Sequence, residues 1–255
     1  MLANWRFGHG QRIVLIHGFT QTQETWTEIV ATLDKQFELV AIDAPNHGDS
    51  SDISLNLESG AKAILEVGGD ATYVGYSMGG RFCLTAALAE PHKVQRLVLI
   101  STNAGIEDKE IRTERIRSDE ELARQIEQIG VPKFIDEWLQ QPLFSGLTMA
   151  TNQRSMRLKN TAIGLSSSLR LCGAGRQQPT WSKLKNLQMP VLVVAGANDT
   201  KYVEIANRIA AAIGENATLQ IIQNSGHTPH IEQPEQFADM LQKFVSSTGN
   251  QQTET

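Results

Sequence analysis

Residues 75–79 have the types and spacing of a serine nucleophile held in a tight turn. The segment reads Gly75-Tyr76-Ser77-Met78-Gly79 and follows an apolar run, which predicts a strand, a sharp turn and then a helix. Glycine on both sides of Ser77 leaves room where strand and helix meet, and the helix N-terminus offers free N–H groups to an anion. The same pattern also occurs by chance in strand-turn-helix units, so a catalytic serine needs partners elsewhere in the chain.

Two further residues have the chemistry to activate this serine. A serine needs an imidazole to take its proton and a carboxylate to orient that imidazole. Asp199 follows one predicted strand and His227 follows the last one, so the chain order is serine, acid, histidine. Asp43, which also ends a predicted strand, is an alternative acid, and His230 is an alternative base. We favour His227 because Gly226 before it permits the sharper turn.

Strands and helices alternate along most of the chain, which predicts an α/β fold with a mostly parallel, doubly wound sheet. The predicted strands are 12–16, 37–42, 71–74, 94–100, 191–195 and 218–222. The predicted helices that accompany them are 25–33, 57–67, 79–89, 203–213 and 234–245. Residues 1–10 are expected to be a short lead-in, which leaves a sheet of six or seven strands, and residues 246–255 a frayed polar tail.

The alternation stops between residues 106 and 185, where the helix-like segments 110–129, 132–140 and 152–169 occur without a convincing strand. We therefore predict a core formed by residues 1–105 and 186–255, with an inserted helical cap formed by residues 106–185. Such a cap would cover the carboxyl ends of the strands, where Ser77 lies.

Composition limits the classes of function. The chain has 255 residues, 40% of them hydrophobic, with a net charge of −5 and two widely separated cysteines, which suits one large domain in a reducing compartment. The negative charge argues against nucleic acid as a partner. No apolar run approaches the roughly 20 residues of a membrane span. We expect a cytoplasmic protein, monomeric or weakly homo-oligomeric, with no membrane contact, no cofactor and no metal.

Positive charge is concentrated in the predicted cap. Residues 138–198 contain no aspartate or glutamate, but they contain seven basic residues. These are Arg154, Arg157, Lys159, Arg170, Arg176, Lys183 and Lys185. In a chain that is acidic overall, such a field beside the predicted site would favour a small anionic substrate. The alternative is a solvated helix face that happens to lack acidic residues.

The chain resembles the α/β-hydrolase superfamily, and within it the family of 2-succinyl-6-hydroxy-2,4-cyclohexadiene-1-carboxylate synthases of menaquinone biosynthesis. The resemblance covers nearly the whole chain. It is carried by residues 75–81, 110–119, 137–144, 168–181 and 199–202. One departure is Asn46 in Pro45-Asn46-His47-Gly48, where members of the family more often have glycine.

The resemblance implies an α/β-hydrolase fold and an elimination catalysed by a lyase. A proton would leave the substrate ring and pyruvate would depart, which gives the cyclohexadiene. Ser77, activated by His227 and Asp199, would act as a base and form no acyl-enzyme. The family positions also imply that the backbone N–H groups of Phe19 and Met78 form the oxyanion hole.

The substrate of that family carries several carboxylates, which arginine pairs with in bidentate fashion. By motif match, the substrate-binding residues would be Tyr76, Arg81, Arg115, Trp138 and Arg157. The plainer alternatives are a surface salt bridge for Arg81, a solvated cap face for the two cap arginines, and cap core for Trp138. Two other functions stay open, namely a hydrolase of an ester or carbon–carbon bond in a small anionic substrate, and a non-catalytic binding protein.

Overall fold

A computed structural model describes residues 1–247 as a seven-stranded sheet with helices on both faces. The strands are β1 (Asn4–Phe7), β2 (Gln11–Ile16), β3 (Phe37–Ile42), β4 (Ala71–Tyr76), β5 (Val94–Ile100), β6 (Val191–Gly196) and β7 (Ala217–Ile222). The helices are α1 (Thr27–Leu33), α2 (Leu57–Gly68), α3 (Met78–Ala89), α4 (Lys109–Trp138), α5 (Arg154–Arg157), α6 (Ala162–Cys172), α7 (Thr200–Ile213), α8 (Pro229–Glu232) and α9 (Pro234–Ser246). Short 3₁₀ turns cover Gln23–Trp26, Gly48–Ser50, Pro91–Lys93, Pro142–Phe144 and Trp181–Asn186. Most of the predicted tail, from residue 248 onward, lies outside the described residues.

The predicted α/β fold is confirmed, and the six predicted strands are present within two residues of their expected bounds. The sheet order is β1-β3-β2-β4-β5-β6-β7. All neighbours are parallel except β1 and β3, which pair antiparallel from Asn4 opposite Ile42 to Phe7 opposite Leu39. The short lead-in expected over residues 1–10 therefore contains a strand, and the sheet has seven strands, the larger of the two numbers expected. Because β1 is a short edge strand with three exposed residues of four, it shows no apolar run in the sequence.

Central strands are buried on both faces of the sheet. In β2, Val14 and Ile16 belong to the apolar cluster that includes α2, α3 and α7. Ile13 and Leu15, which point to the other face, belong to the cluster that includes α1 and α9. This burial on both faces explains why the strand reads as a continuous apolar run.

Between β5 and β6, the described chain contains α4, α5 and α6 and no strand. Helix α4 bends at Gly130, where φ is 74° and ψ is 164°, two residues before Pro132. The bend separates the two helices that were predicted over 110–129 and 132–140. Helices α4 and α6 share an apolar cluster of their own, which is formed by Ala123, Ile126, Val131, Phe134, Ile135, Leu165 and Leu169. The core and cap boundaries at 105/106 and 185/186 stay predictions.

The helix predicted over 152–169 is two helices, α5 and α6, with a break at Asn160. The buried Asn160 side chain donates to Thr20 O at 2.7 Å and accepts from the Gly48 N–H at 3.0 Å. These bonds tie the break to the loops that follow β2 and β3. Tertiary contacts therefore override the helical pattern of the local sequence at this point.

Candidate active site

The turn after β4 holds Ser77 in a strained conformation. Its φ of 51° and ψ of −107° are rare for any residue with a side chain, and such strain is typical of functional sites. The Ser77 N–H donates to Ile100 O at 2.8 Å, and the Thr102 hydroxyl donates to Ser77 O at 2.7 Å. A methyl group at Gly75 would overlap the backbone of Gly79, so this position needs glycine for close packing. These two hydrogen bonds and the close packing at Gly75 therefore hold the turn in its strained conformation.

His227 and Asp199 meet above the ends of β6 and β7. The His227 Nδ1 lies 2.7 Å from Asp199 Oδ2, and only 2% of the His227 surface is exposed. A second bond, from the Asn198 N–H to Ser225 O at 2.9 Å, ties the two loops together. Because a carboxylate only accepts, Nδ1 carries the proton and Nε2 is left as an acceptor. This is the tautomer that a general base requires.

Ser77 and His227 line one cavity of about 1010 Å³, which residues of α4 and α6 also line. In the part of the chain that the structure describes, no direct hydrogen bond joins the Ser77 hydroxyl to His227. Contacts between catalytic groups are often long before substrate binds and shorten in the complex. The two side chains share the cavity in which a substrate would meet both.

Phe19 and Met78 also line this cavity beside Ser77. Met78 is the first residue of α3, where a backbone N–H has no partner within the helix. Within residues 1–247, the Phe19 N–H donates no hydrogen bond. Two free donors of this kind beside a nucleophile have the arrangement that stabilises charge on oxygen. Their assignment as the oxyanion hole stays a prediction.

His17, at the end of β2, positions the Phe19 loop, a function that the sequence did not reveal. Its Nε2 accepts from the Ala44 N–H at 3.0 Å, and its Nδ1 lies 2.8 Å from Gly18 O. Complete burial lowers the pKa of His17 well below its ordinary value, so the ring is neutral. We infer that this histidine fixes the loops after β2 and β3 to each other. The only signal in the sequence is a His-Gly pair after an apolar strand.

His230, the alternative base, lies in an aromatic environment. Its ring centroid is 4.7 Å from that of Trp26 and 4.5 Å from that of Tyr76. Neither ring nitrogen has a hydrogen-bond partner among the described residues, and burial lowers the pKa of His230 to about 3. A histidine without a carboxylate partner has nothing to orient it or to stabilise its charged form, which disfavours it as the base.

Asp43, the alternative acid, binds backbone and not His227. Its carboxylate accepts from the Gln23 N–H at 2.7 Å and from the Asp49 N–H at 2.9 Å. Burial raises the pKa of this carboxyl to about 6. Asp43 therefore organises the loop after β3. Asn46 in the same loop has a φ of 69°, which explains how asparagine replaces the glycine common at this position.

Three of the five residues expected to bind substrate line the cavity, namely Arg81, Arg115 and Trp138. Arg81 is buried, and its Nη1 has no hydrogen-bond partner within the described chain. Burial lowers the pKa of the Arg81 guanidinium. Arg115 donates through Nε to Asp119 Oδ1 at 2.7 Å, and its two Nη groups donate no hydrogen bond within the described chain. A buried guanidinium with an unused donor is suited to a carboxylate ligand.

Tyr76 and Arg157, the other two, are buried but are not among the residues that line the cavity. The Tyr76 ring packs against His227, with 5.5 Å between ring centroids. Arg157 donates through Nε to Asn152 O at 3.0 Å and through Nη1 to the Thr20 hydroxyl. Burial lowers the pKa of Arg157 to about 10, and no carboxylate within the described residues pairs with it. Direct substrate contact by these two residues stays a prediction.

The basic side chains of the cavity are not the ones expected from the acid-free stretch. None of the seven basic residues from the acid-free stretch lines the cavity, and three of them form ion pairs. Arg154 pairs with Asp136 at 2.5 Å, and Arg170 pairs with Glu120 at 2.9 Å and with Glu127 at 2.5 Å. The basic residues that do line it are Arg81, Arg115, Lys201 and Arg208. The lining also includes the acidic residues Glu107, Asp108 and Glu121, so its net positive charge is small. Folding brings acids from α4 against the acid-free stretch, which the local sequence could not show.

Residues 1–247 contain no group of three or more histidine, cysteine, aspartate or glutamate side chains placed to hold a metal ion. In the same residues, no helix is both long and apolar enough to cross a membrane.

Comparison with known proteins extends the resemblance. The sequence model of the alpha/beta hydrolase family matches residues 13–240. A protein of Bacillus subtilis (strain 168), with the provisional name 2-succinyl-6-hydroxy-2,4-cyclohexadiene-1-carboxylate synthase, is 32% identical over 252 residues, which cover 93% of this chain and 91% of that protein. The synthase of the same name from Serratia proteamaculans (strain 568) is 27% identical, covering 93% of this chain and 94% of its own.

Among solved structures, MenH from S. aureus superimposes with a TM-score of 0.88 at 28% sequence identity. The match covers 95% of this chain and 97% of that one. The similarity therefore includes the helical segment between β5 and β6 as well as the sheet.

Proposed function

The chain belongs to the alpha/beta hydrolase family, and we propose that it eliminates pyruvate from a carboxylated cyclohexene. The product would be 2-succinyl-6-hydroxy-2,4-cyclohexadiene-1-carboxylate, the compound in the names of its relatives. The observation that carries the proposal is the Asp199–His227 pair beside Ser77 in a cavity that Arg81 and Arg115 also line. Ser77, His227 and Asp199 can move a proton. Arg81 and Arg115 can bind carboxylates.

The reaction needs a base and a site for negative charge. His227 Nε2 takes the Ser77 proton, and the serine oxygen takes a proton from the substrate ring. The electron pair released forms the new ring double bond as the carbon–oxygen bond to the leaving group breaks. The His227 imidazolium gives its proton to the departing enolpyruvate, which becomes pyruvate, so Ser77 and His227 return to their starting protonation states. The N–H groups of Phe19 and Met78 stabilise the enolate-like charge that develops before this bond breaks.

Asp199 acts through His227 in this scheme. Its carboxylate holds the imidazole in one tautomer and stabilises the imidazolium that forms when Ser77 is deprotonated. The same pair argues against a non-catalytic binding protein, because binding alone requires no oriented base beside a serine. Arg81 and Arg115 bind the substrate carboxylates, and the charge of the substrate offsets the burial of the Arg81 cation.

Pyruvate release tests the proposal. The enolpyruvyl-containing menaquinone precursor is added to the protein, and pyruvate is measured through lactate dehydrogenase. We expect release by the parent and a loss of at least about 1,000-fold in Ser77→Ala, as for other triad serines. Ser155→Ala, an exposed serine in α5, is the matched control and should retain the parent rate.

One result would overturn the elimination. If the parent releases no pyruvate but hydrolyses simple aryl esters, and Ser77→Ala abolishes this hydrolysis, the protein is an ester hydrolase of the same family.

The proposal also includes a cytoplasmic location and a monomeric or weakly homo-oligomeric state. It includes a core of residues 1–105 and 186–255 with a cap of residues 106–185. Size-exclusion chromatography with light scattering measures the oligomeric state.

A further inference from the structure

Glu232, the last residue of α8, binds the loop on both sides of His227. The Gly226 N–H donates to Glu232 Oε2 at 2.8 Å. The Thr228 N–H and the Thr228 hydroxyl donate to Glu232 Oε1 at 3.0 Å and 2.7 Å. One carboxylate thus accepts three hydrogen bonds from the two neighbours of the histidine.

These bonds are the main polar contacts of the Glu232 carboxylate. Among the described residues it forms no ion pair, so its charge acts on neutral donors of the loop. Hydrogen bonds to an ionised carboxylate are shorter and stronger than bonds between neutral groups. The arrangement is therefore a rigid attachment of residues 226–228 to the start of the α8–α9 segment.

The cap reaches the same carboxylate. Gly146 follows the 3₁₀ turn Pro142–Phe144, and a methyl group at this position would overlap Glu232 Oε2. The φ of Gly146 is not positive, so its backbone conformation does not require glycine. Glycine is favoured here because a side chain at position 146 would collide with the Glu232 carboxylate. The cap loop therefore packs directly on the group that holds the His227 loop.

We propose that Glu232 is a positioning residue for His227 and that the cap loop at Gly146 keeps its carboxylate in place. The Asp199 bond fixes only one ring nitrogen, about which the imidazole can still tilt. Holding the backbone on both sides of His227 sets where Nε2 points relative to Ser77. The inference rests on the proposed function only in taking His227 as the base, whatever substrate is turned over.

The first test is Glu232→Gln. The amide oxygen can accept from one side of the loop, but the amide NH₂ then faces a donor on the other side, so one attachment is lost. We expect kcat for pyruvate release to fall about 10-fold to 100-fold while KM stays within about twofold, since displacement by about 1 Å has effects of this size. Glu235→Gln, an exposed residue of α9 with the same loss of charge, is the control and should match the parent.

A second readout does not depend on the substrate. A fluorophosphonate labels an activated serine, so its rate of reaction with Ser77 reports how well His227 is positioned. We expect this rate to fall in parallel with kcat in Glu232→Gln. If the parent releases no pyruvate, the labelling rate still tests the inference, which separates its failure from that of the proposed function.

A purely structural role for Glu232 would give a different result. If Glu232→Gln has a lower melting temperature but labels at the parent rate well below it, Glu232 is only structural and the inference is wrong. Should Glu232→Gln fail to fold, Glu232→Asp is measured instead. It keeps the charge but is one methylene too short to reach both sides, so a smaller loss in the labelling rate is expected, and the parent rate would again refute the inference.

The cap contact has its own test. Gly146→Ala should lower kcat and the labelling rate in the same direction, because the new methyl group displaces the Glu232 carboxylate. Ser145→Ala, the exposed neighbour, is the matched control and should keep the parent rates. The double variant of Glu232→Gln with Gly146→Ala should lose little more than Glu232→Gln alone, as expected for coupled residues. Parent rates in Gly146→Ala would refute the role assigned to the cap.

Discussion

At the scale of single residues, the chemistry depends on which nitrogen of His227 carries the proton. The 2.7 Å contact to Asp199 places the proton on Nδ1 and leaves Nε2 free to accept. His230, only three residues away, has no such partner and a pKa lowered to about 3 by burial. The two histidines, one in the loop after β7 and the other in α8, thus differ in their suitability as a base because only one has a carboxylate beside it.

Arg81 offers a direct test of substrate binding. It lines the cavity, is buried, and has an Nη1 without a partner among the described residues. We expect Arg81→Gln to raise KM for the carboxylated substrate about 10-fold to 100-fold, which corresponds to the roughly 1.5–3 kcal/mol of a hydrogen bond to a charged group. Steady-state pyruvate release over a range of substrate concentrations measures the effect.

The control for Arg81→Gln is Arg176→Gln, which removes an exposed cation that does not line the cavity. Its KM should equal that of the parent. Equal KM increases in both variants would show that general charge, and not Arg81 itself, attracts the substrate.

At the scale of elements, α4 has to change direction to cover the cavity. Its first part contributes Arg115, Ser118 and Leu122 to the cavity lining, and its end contributes Trp138. Gly130 makes the bend with a φ of 74° and a ψ of 164°, a region used almost only by glycine. The bend therefore lets one helix place side chains on two parts of the same cavity.

Gly130→Ala should destabilise the protein through its backbone alone. The nearest atom to a new methyl group is Pro132 Cδ at 3.9 Å, so no clash adds to the strain. We expect the free energy of unfolding to fall by about 1–3 kcal/mol. Urea denaturation measures it. Gln128→Ala, at an exposed position of the same helix, should change it by less than about 0.5 kcal/mol. Equal stability of the Gly130→Ala variant and the parent would show that the bend carries no strain.

At the scale of the whole molecule, buried histidines make stability depend on pH. Burial lowers the pKa of His17 well below its ordinary value, that of His47 to about 4 and that of His230 to about 3. Below about pH 6.5 the unfolded chain binds protons at these residues and the folded chain does not, so acid favours unfolding. Asp43 acts in the opposite sense between about pH 4 and 6, because its folded pKa is raised to about 6.

His230→Phe should weaken this pH dependence. Phenylalanine fits the aromatic surroundings of His230, which include Trp26, Tyr76 and Phe237, and it cannot take up a proton. Between pH 7 and pH 5 we expect the variant to lose roughly 1–2 kcal/mol less unfolding free energy than the parent. Urea denaturation at the two pH values checks this. An identical loss in both proteins would mean that His230 takes up its proton equally in the folded and unfolded chains.

Several features of the fold and site were readable from the sequence because their signals are local. The apolar runs of β2 to β7, the glycines around Ser77 and the loop positions of Asp199 and His227 each depend on a few neighbouring residues. Parallel strands then bring their carboxyl ends to one edge of the sheet, so the approximate meeting of serine, acid and base follows from the alternation itself. The sequence by itself determined this fold class and the composition of the proposed triad.

Only the tertiary structure decided which residues face the cavity and which charges are neutralised. The edge strand β1 exists because it pairs with β3, and Arg170 is paired because α4 brings Glu120 against it. The attachment of Glu232 to both neighbours of His227 depends on the turn into α8. These features depend on how segments fold back on one another, and residue types and spacing alone do not specify such contacts.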